Sequence, residues 1–149
     1  MKKRLAIMIP LAAVVAAVMV YLLAARPWLV TNDPNTYDIR ADAPVSIIFD
    51  QFDKTRGVYR IVNSGSEAAF CTNRFALQYQ KNGGWYNVKA DNSGESQVAL
   101  KLEPGGTEYF STFWRSGEKP IPGGEYRLVT PIKTGSGGDY WIAAPFSVP

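Results

Sequence analysis

From Val45 to Pro149 the chain never runs far without a stop. Short stretches alternate apolar and polar residues. Each ends at a break rich in Gly, Pro, Ser or Asn: SGSEA at 64–68, KNGG at 81–84, ADNSGES at 90–96, EPGG at 103–106, KPIPGG at 119–124 and TGSGG at 134–138. Breaks about 8–15 residues apart leave no sustained helical period, but they suit strands of roughly four to eight residues. The runs between them are rich in β-branched and aromatic residues, as in VSIIFDQF (45–52), GVYRIVN (57–63) and EYRLVTPIK (125–133).

Within this pattern some turns name their own geometry. Asn82-Gly83 separates RFALQYQ from WYNVK. Both central residues of a type I′ turn need positive φ, so Asn-Gly predicts an antiparallel hairpin. Pro104-Gly105 predicts a β-turn, with Pro fixing φ at the first central position and Gly accepting positive φ at the second. Pro145 would break a ladder bond and belongs at an edge or bulge of the last strand. Alternation puts Phe75, Leu77 and Tyr79 on one face of their strand. It puts Phe110, Thr112 and Trp114 on one face of another, with Tyr109, Ser111 and Phe113 opposite. These aromatics, with Tyr140, Trp141 and Phe146, exceed what two buried faces need, and the excess suggests either an exposed patch or a covered edge. The whole predicts seven or eight antiparallel strands over 45–149: an all-β, Greek-key sandwich of immunoglobulin type, with a small barrel as the alternative that periodicity does not separate.

The first 26 residues differ in kind. Lys2, Lys3 and Arg4 precede an uncharged run from Leu5 to Ala25. As a helix that run is about 31 Å long, and the hydrocarbon core of a bilayer is about 30 Å thick. It is longer than the apolar part of a cleaved signal peptide, and Leu23-Ala24-Ala25 before Arg26-Pro27 makes a poor cleavage site. We read residues 1–26 as a signal anchor with one transmembrane helix, and 27–44 as a linker. The basic start stays cytoplasmic, which places the 45–149 domain outside the cell membrane. The membrane is thus the first expected partner.

The formal net charge of +3 misleads, because four of the 16 basic residues flank the apolar run. The remaining 12 basic residues, scattered among 13 acidic ones, make no stripe for nucleic acid. Histidine is absent. Imidazole-based triads and dyads are therefore excluded, and the usual zinc sites are not expected. Cys71, the one cysteine, forms no intramolecular disulfide and reads as a buried small hydrophobe. The carboxylates of Asp50 and Asp53, and those from Asp91 to Glu95, read as solvated turns. No catalytic, metal or cofactor site is expected.

Tyr126 stands two residues after Gly123-Gly124, at the mouth of the penultimate run. In sandwiches of this type a tyrosine there bonds a backbone group a few residues upstream, where the chain changes sheets. Tyr126 is accordingly the structural residue singled out. With it, LEPGGTEYFSTFW, IPGGEYRLV and YWIAAPFSV resemble a family of bacterial extracytoplasmic immunoglobulin-like domains. Leu102 to Gly106, Ile121 to Arg127 and Phe146 to Val148 carry its turn and end motifs. VYRIVNSGSEAAF looks like its second strand, running into a polar turn after an Asn, and LQYQKNGGWYNV like its central hairpin. The extra Gly in PGGEY and the long TGSGG loop depart from the pattern. A weaker similarity connects LEPGGTEYFSTFW and IPGGEYRL with bacterial proteinase-inhibitor sandwiches. The motifs of the resemblance are turn chemistry and report fold more than function. We read the domain itself as a non-catalytic binding or accessory module, with an envelope protein or a cell-wall polymer as its expected partner. The second resemblance implies a tethered inhibitor.

Overall fold

The structure is a computed structural model. It describes residues 14–16, 34, 36–88, 99–114, 120–136 and 138–149. The expected membrane span lies almost wholly outside these residues. Val14 to Ala16 are helical, and among the described residues no helix is long and apolar enough to cross a membrane.

Among the described residues nine strands form two sheets: β1 (Val45–Phe52), β2 (Arg56–Asn63), β3 (Ala69–Cys71), β4 (Ala76–Lys81), β5 (Gly84–Asn87), β6 (Leu100–Leu102), β7 (Thr107–Phe113), β8 (Gly124–Thr134) and β9 (Asp139–Val148). The smaller sheet has the order β1-β2-β7. The larger runs β5-β4-β8-β3-β6, with β9 paired to β8. Every ladder is antiparallel.

The strand count exceeds the sequence expectation because one stretch splits. Ala69–Cys71, which lie just after the SGSEA break and fall in no strand of the sequence pattern, pair with both β6 and β8. β3 and β4 then run in line along the same side of β8. Cys71 faces Ile132 and Ala76 faces Val129, so five residue steps on one side oppose three on the other. The surplus residues swing out at 72–75. Pro131, with no N–H to give, falls at that lapse in the pairing.

The turns follow their residues. Asn82 and Gly83 take φ of 50° and 78°, the double positive pair of a type I′ hairpin, and they close β4 onto β5. Gly105 takes φ of 75°, and Gly106 N–H donates to the Glu103 carbonyl at 2.8 Å. Asp53 holds the β1–β2 turn, its Oδ1 accepting from Thr55 N (2.6 Å), Thr55 Oγ1 (2.6 Å) and Arg56 N (2.9 Å). Those three donors, Thr55's hydroxyl first, hold its carboxyl below the usual range. Pro145 lies in β9, whose described pairing is to β8 on one side only, apart from a single bridge to Ile39.

The core lies between the sheets and is organised around Phe146. Its ring stacks on Trp114 (5.1 Å, 19°) and Tyr126 (5.6 Å, 21°) and tilts against Phe49 (4.9 Å). Trp114 is fully buried, and its Nε1 donates to the Asp53 carbonyl at 2.7 Å. Gly57 is its floor: a Cβ there would stand 2.3 Å from the indole Cη2. At the other end Asn63, also buried, clamps two turns. Its Nδ2 donates to the carbonyls of Glu67 (2.8 Å) and Leu102 (3.0 Å), and its Oδ1 accepts from Gly65 N (2.9 Å). Its main chain exchanges bonds with Gly105 and Gly106.

Candidate binding surface

The outward side chains of the larger sheet are the richest in chemistry. Gln78 of β4 points away from the core yet is fully buried, as is Val129 of β8. The approach to the domain accounts for part of this cover. Residues 36–40, expected as linker, lie along β9: Ile39 forms a parallel bridge with Trp141, Arg40 N–H donates to the Trp141 carbonyl at 2.9 Å, and the Tyr37 ring sits 4.4 Å from the Trp141 ring. A polar chain runs inward from there. Asn87 Nδ2 donates to the Tyr37 hydroxyl (3.4 Å), Gln78 Nε2 to Asn87 Oδ1 (2.9 Å), and Arg127 Nε to Gln78 Oε1 (2.7 Å). The Arg127 guanidinium lies 4.5 Å from the Trp85 ring centroid. Desolvation lowers its pKa from the usual arginine value. These groups are spent on one another, so they rigidify the face rather than offer it.

Beside them the swing at 72–75 opens a groove of about 530 Å³, within the range of small-ligand sites. Its apolar walls are Phe70 from β3, Pro131 from β8 and Trp141 from β9. Its polar rim is Thr72, Arg74, Lys133 and Asp139. Lys133 and Asp139 are cross-strand partners, with Nζ 3.3 Å from Oδ2. The Arg74 carbonyl is fixed by the buried Thr130 hydroxyl at 2.8 Å, while the residue itself is exposed. The groove thus carries two cations against one carboxylate, between two aromatic rings. Sequence reasoning noted the aromatic surplus around Trp141 but not the groove, because the register break that opens it leaves no pattern in the chain.

The other candidates fall elsewhere. Cys71 is fully buried, and burial, then the Glu108 charge, push its thiol up to about 11, so it is inert as a nucleophile at neutral pH. Asp50 pairs with Arg60 at 3.4 Å and Asp53 serves its turn. Asp91 to Glu95 lie outside the described residues, as does Ser116-Gly117-Glu118-Lys119, a Ser-x-x-Lys spacing that corrects the expectation of none in this chain. The Tyr126 hydroxyl donates to the Pro122 carbonyl, four residues upstream, at 2.8 Å. Burial, with a smaller contribution from Tyr79, raises its pKa well above the phenol range. Of the surplus aromatics, Tyr109 and Phe113 stand out from β7 at 67% and 66% exposure.

Two sheets packed face to face around a buried tryptophan, with a tyrosine bonding back across the bend before β8, define an immunoglobulin-like sandwich. The chain belongs to the bacterial Ig-like domain family, whose description matches residues 45–147. No curated protein matches it in sequence. Three solved structures show a distant similarity to the chain. The structural-genomics target SoR45 is 14% identical, with 72% of this chain and 88% of that one covered and a TM-score of 0.44. The sporulation control protein Spo0M of Bacillus subtilis is 15% identical, with 70% and 48% covered and a TM-score of 0.40. The alkylpurine DNA glycosylase AlkC of Pseudomonas fluorescens, bound to DNA containing an abasic-site analogue, is 16% identical, with 71% and 30% covered and a TM-score of 0.33.

Proposed function

We propose that this chain is a membrane-tethered, non-catalytic binding module, with its Ig-like domain on the outer side of the cell membrane and a polyhydroxylated wall polymer as its ligand. The groove on the larger sheet is the observation that carries the reading. Aromatic faces such as Trp141 and Phe70 suit the C–H faces of a sugar ring. Arg74 and Lys133 supply donors for hydroxyls and for an acidic substituent. The groove is lined on the outward face of the larger sheet by side chains of β3, β8 and β9. The tether and its orientation are supported by the uncharged run from Leu5 to Ala25 and the cations before it. Non-catalytic action fits a chain without histidine whose one thiol is buried.

The test is calorimetric titration of the purified protein with glycan fragments carrying and lacking a carboxylate. Acidic fragments bind tighter. Arg74→Glu weakens binding about tenfold or more, since a charge-assisted hydrogen bond contributes roughly 1.5–3 kcal/mol, and Trp141→Ala weakens it by removing the ring that faces the sugar. Binding untouched by both substitutions would reject the groove. Inhibition of a protease panel without glycan binding would favour the inhibitor reading instead.

A further inference from the structure

Sheet edges invite other strands, and proteins blunt them with charge, proline, bulges, short length or cover. Most edges of this molecule are blunted. β1 has a register shift between Phe49 and Gln51 and carries Asp50 there. β5 and β6 have four and three residues. β9 carries Pro145 and is bridged by Ile39. β7 differs from all of these. Its seven residues, TEYFSTF, contain no proline, no lysine and no bulge. They pair with β2 in unbroken register from Thr107 to Phe113, and β2 is their one partner among the described strands. Two of the most exposed aromatic rings of the domain, Tyr109 and Phe113, sit on it.

We infer that β7 is an interface for a second copy of this chain, the two β7 strands pairing antiparallel about a two-fold axis at Phe110. The strand complements itself in that register. Tyr109 faces Ser111 of the copy and Phe113 faces Thr107, so each exposed ring meets a small hydroxyl residue. Glu108, its one charged residue, faces Thr112, so no like charges oppose each other. The two three-stranded sheets become one sheet of six, and an isologous pair closes on itself without growing into fibres. The inference stands apart from the glycan reading, since the groove lies on the other sheet.

Thiol bridging in the full-length protein, in detergent or native membrane, tests both the interface and its register. Directly opposed residues have Cβ atoms about 4.5–5.5 Å apart, and diagonal ones stand farther off. A mixture of Tyr109→Cys and Ser111→Cys proteins, treated with a short thiol-bridging reagent, gives cross-linked dimer several-fold above either variant alone. Buried Cys71 serves as the internal control. Adding Phe113→Lys to both variants lowers the yield at least fivefold with the circular dichroism unchanged. No cross-link, equal yields in mixed and single samples, or a yield indifferent to Phe113→Lys would overturn the proposal.

Discussion

Tyr126 shows how one hydroxyl bears on the fold. Its bond to the Pro122 carbonyl ties the turn before β8 to the strand itself. Tyr126→Phe keeps the ring on Phe146 but takes that donor from the carbonyl. The expected loss is roughly 1–3 kcal/mol in urea unfolding, the cost of a buried polar group deprived of a partner. Tyr140 is the contrast. Its hydroxyl is buried without a hydrogen-bond partner among the described residues, so Tyr140→Phe leaves stability within about 0.5 kcal/mol or raises it. Gly57→Ala drives a methyl into the Trp114 indole, and overpacking of that kind costs about 1–3 kcal/mol. Asp53 gives a pH signature. Its folded-state pKa is depressed by its turn donors. Its contribution is therefore complete above the unfolded carboxylate value and is lost as pH falls through the folded one. Unfolding midpoints measured from pH 5 downward drop less for Asp53→Ala than for the wild type.

Elements were legible where the chain carries its own turn chemistry. Asn82-Gly83 gave away the β4–β5 hairpin, and Pro104-Gly105 the entry to β7, because those φ values exclude most other residues. The alternation through β7 put Trp114 on one face and Tyr109 and Phe113 on the other, but which face packs inward is not in the pattern: Trp114 is buried and the other two are exposed. β3 was not legible: three residues beside SGSEA have no period to read, and their pairing with Leu100–Leu102 is a long-range event. The groove was hidden for the same reason, since it comes from a mismatch between two strands rather than from either one. The contacts of Tyr37 and Ile39 with Trp141 were not legible either. Tyr37 to Arg40 read as linker because their partner, Trp141, lies about a hundred residues downstream. Asn63 links two of these turns. Asn63→Ala strips donors from the Glu67 and Leu102 carbonyls, for a loss of roughly 1–3 kcal/mol. It should also speed amide exchange at Gly65 and Gly106, measured by NMR.

At the scale of the whole molecule, the account joins a cationic, uncharged-then-polar N-terminus to a sandwich that needs neither disulfide nor histidine chemistry. The two sheets divide the work. The smaller presents an open edge suited to a second copy, and the larger presents an aromatic groove suited to a polymer. The binding proposal alone puts the domain outside the membrane, on the strength of the uncharged run from Leu5 to Ala25 and the cations before it. The most direct measurement is therefore alkaline carbonate extraction of cell membranes, followed by protease added to intact spheroplasts. The account predicts that full-length protein stays in the pellet and that the added protease removes the domain, leaving a short N-terminal fragment. Release of the protein into the medium with a mature N-terminus near Ala25, or a domain that survives the protease until the membrane is broken, would contradict it.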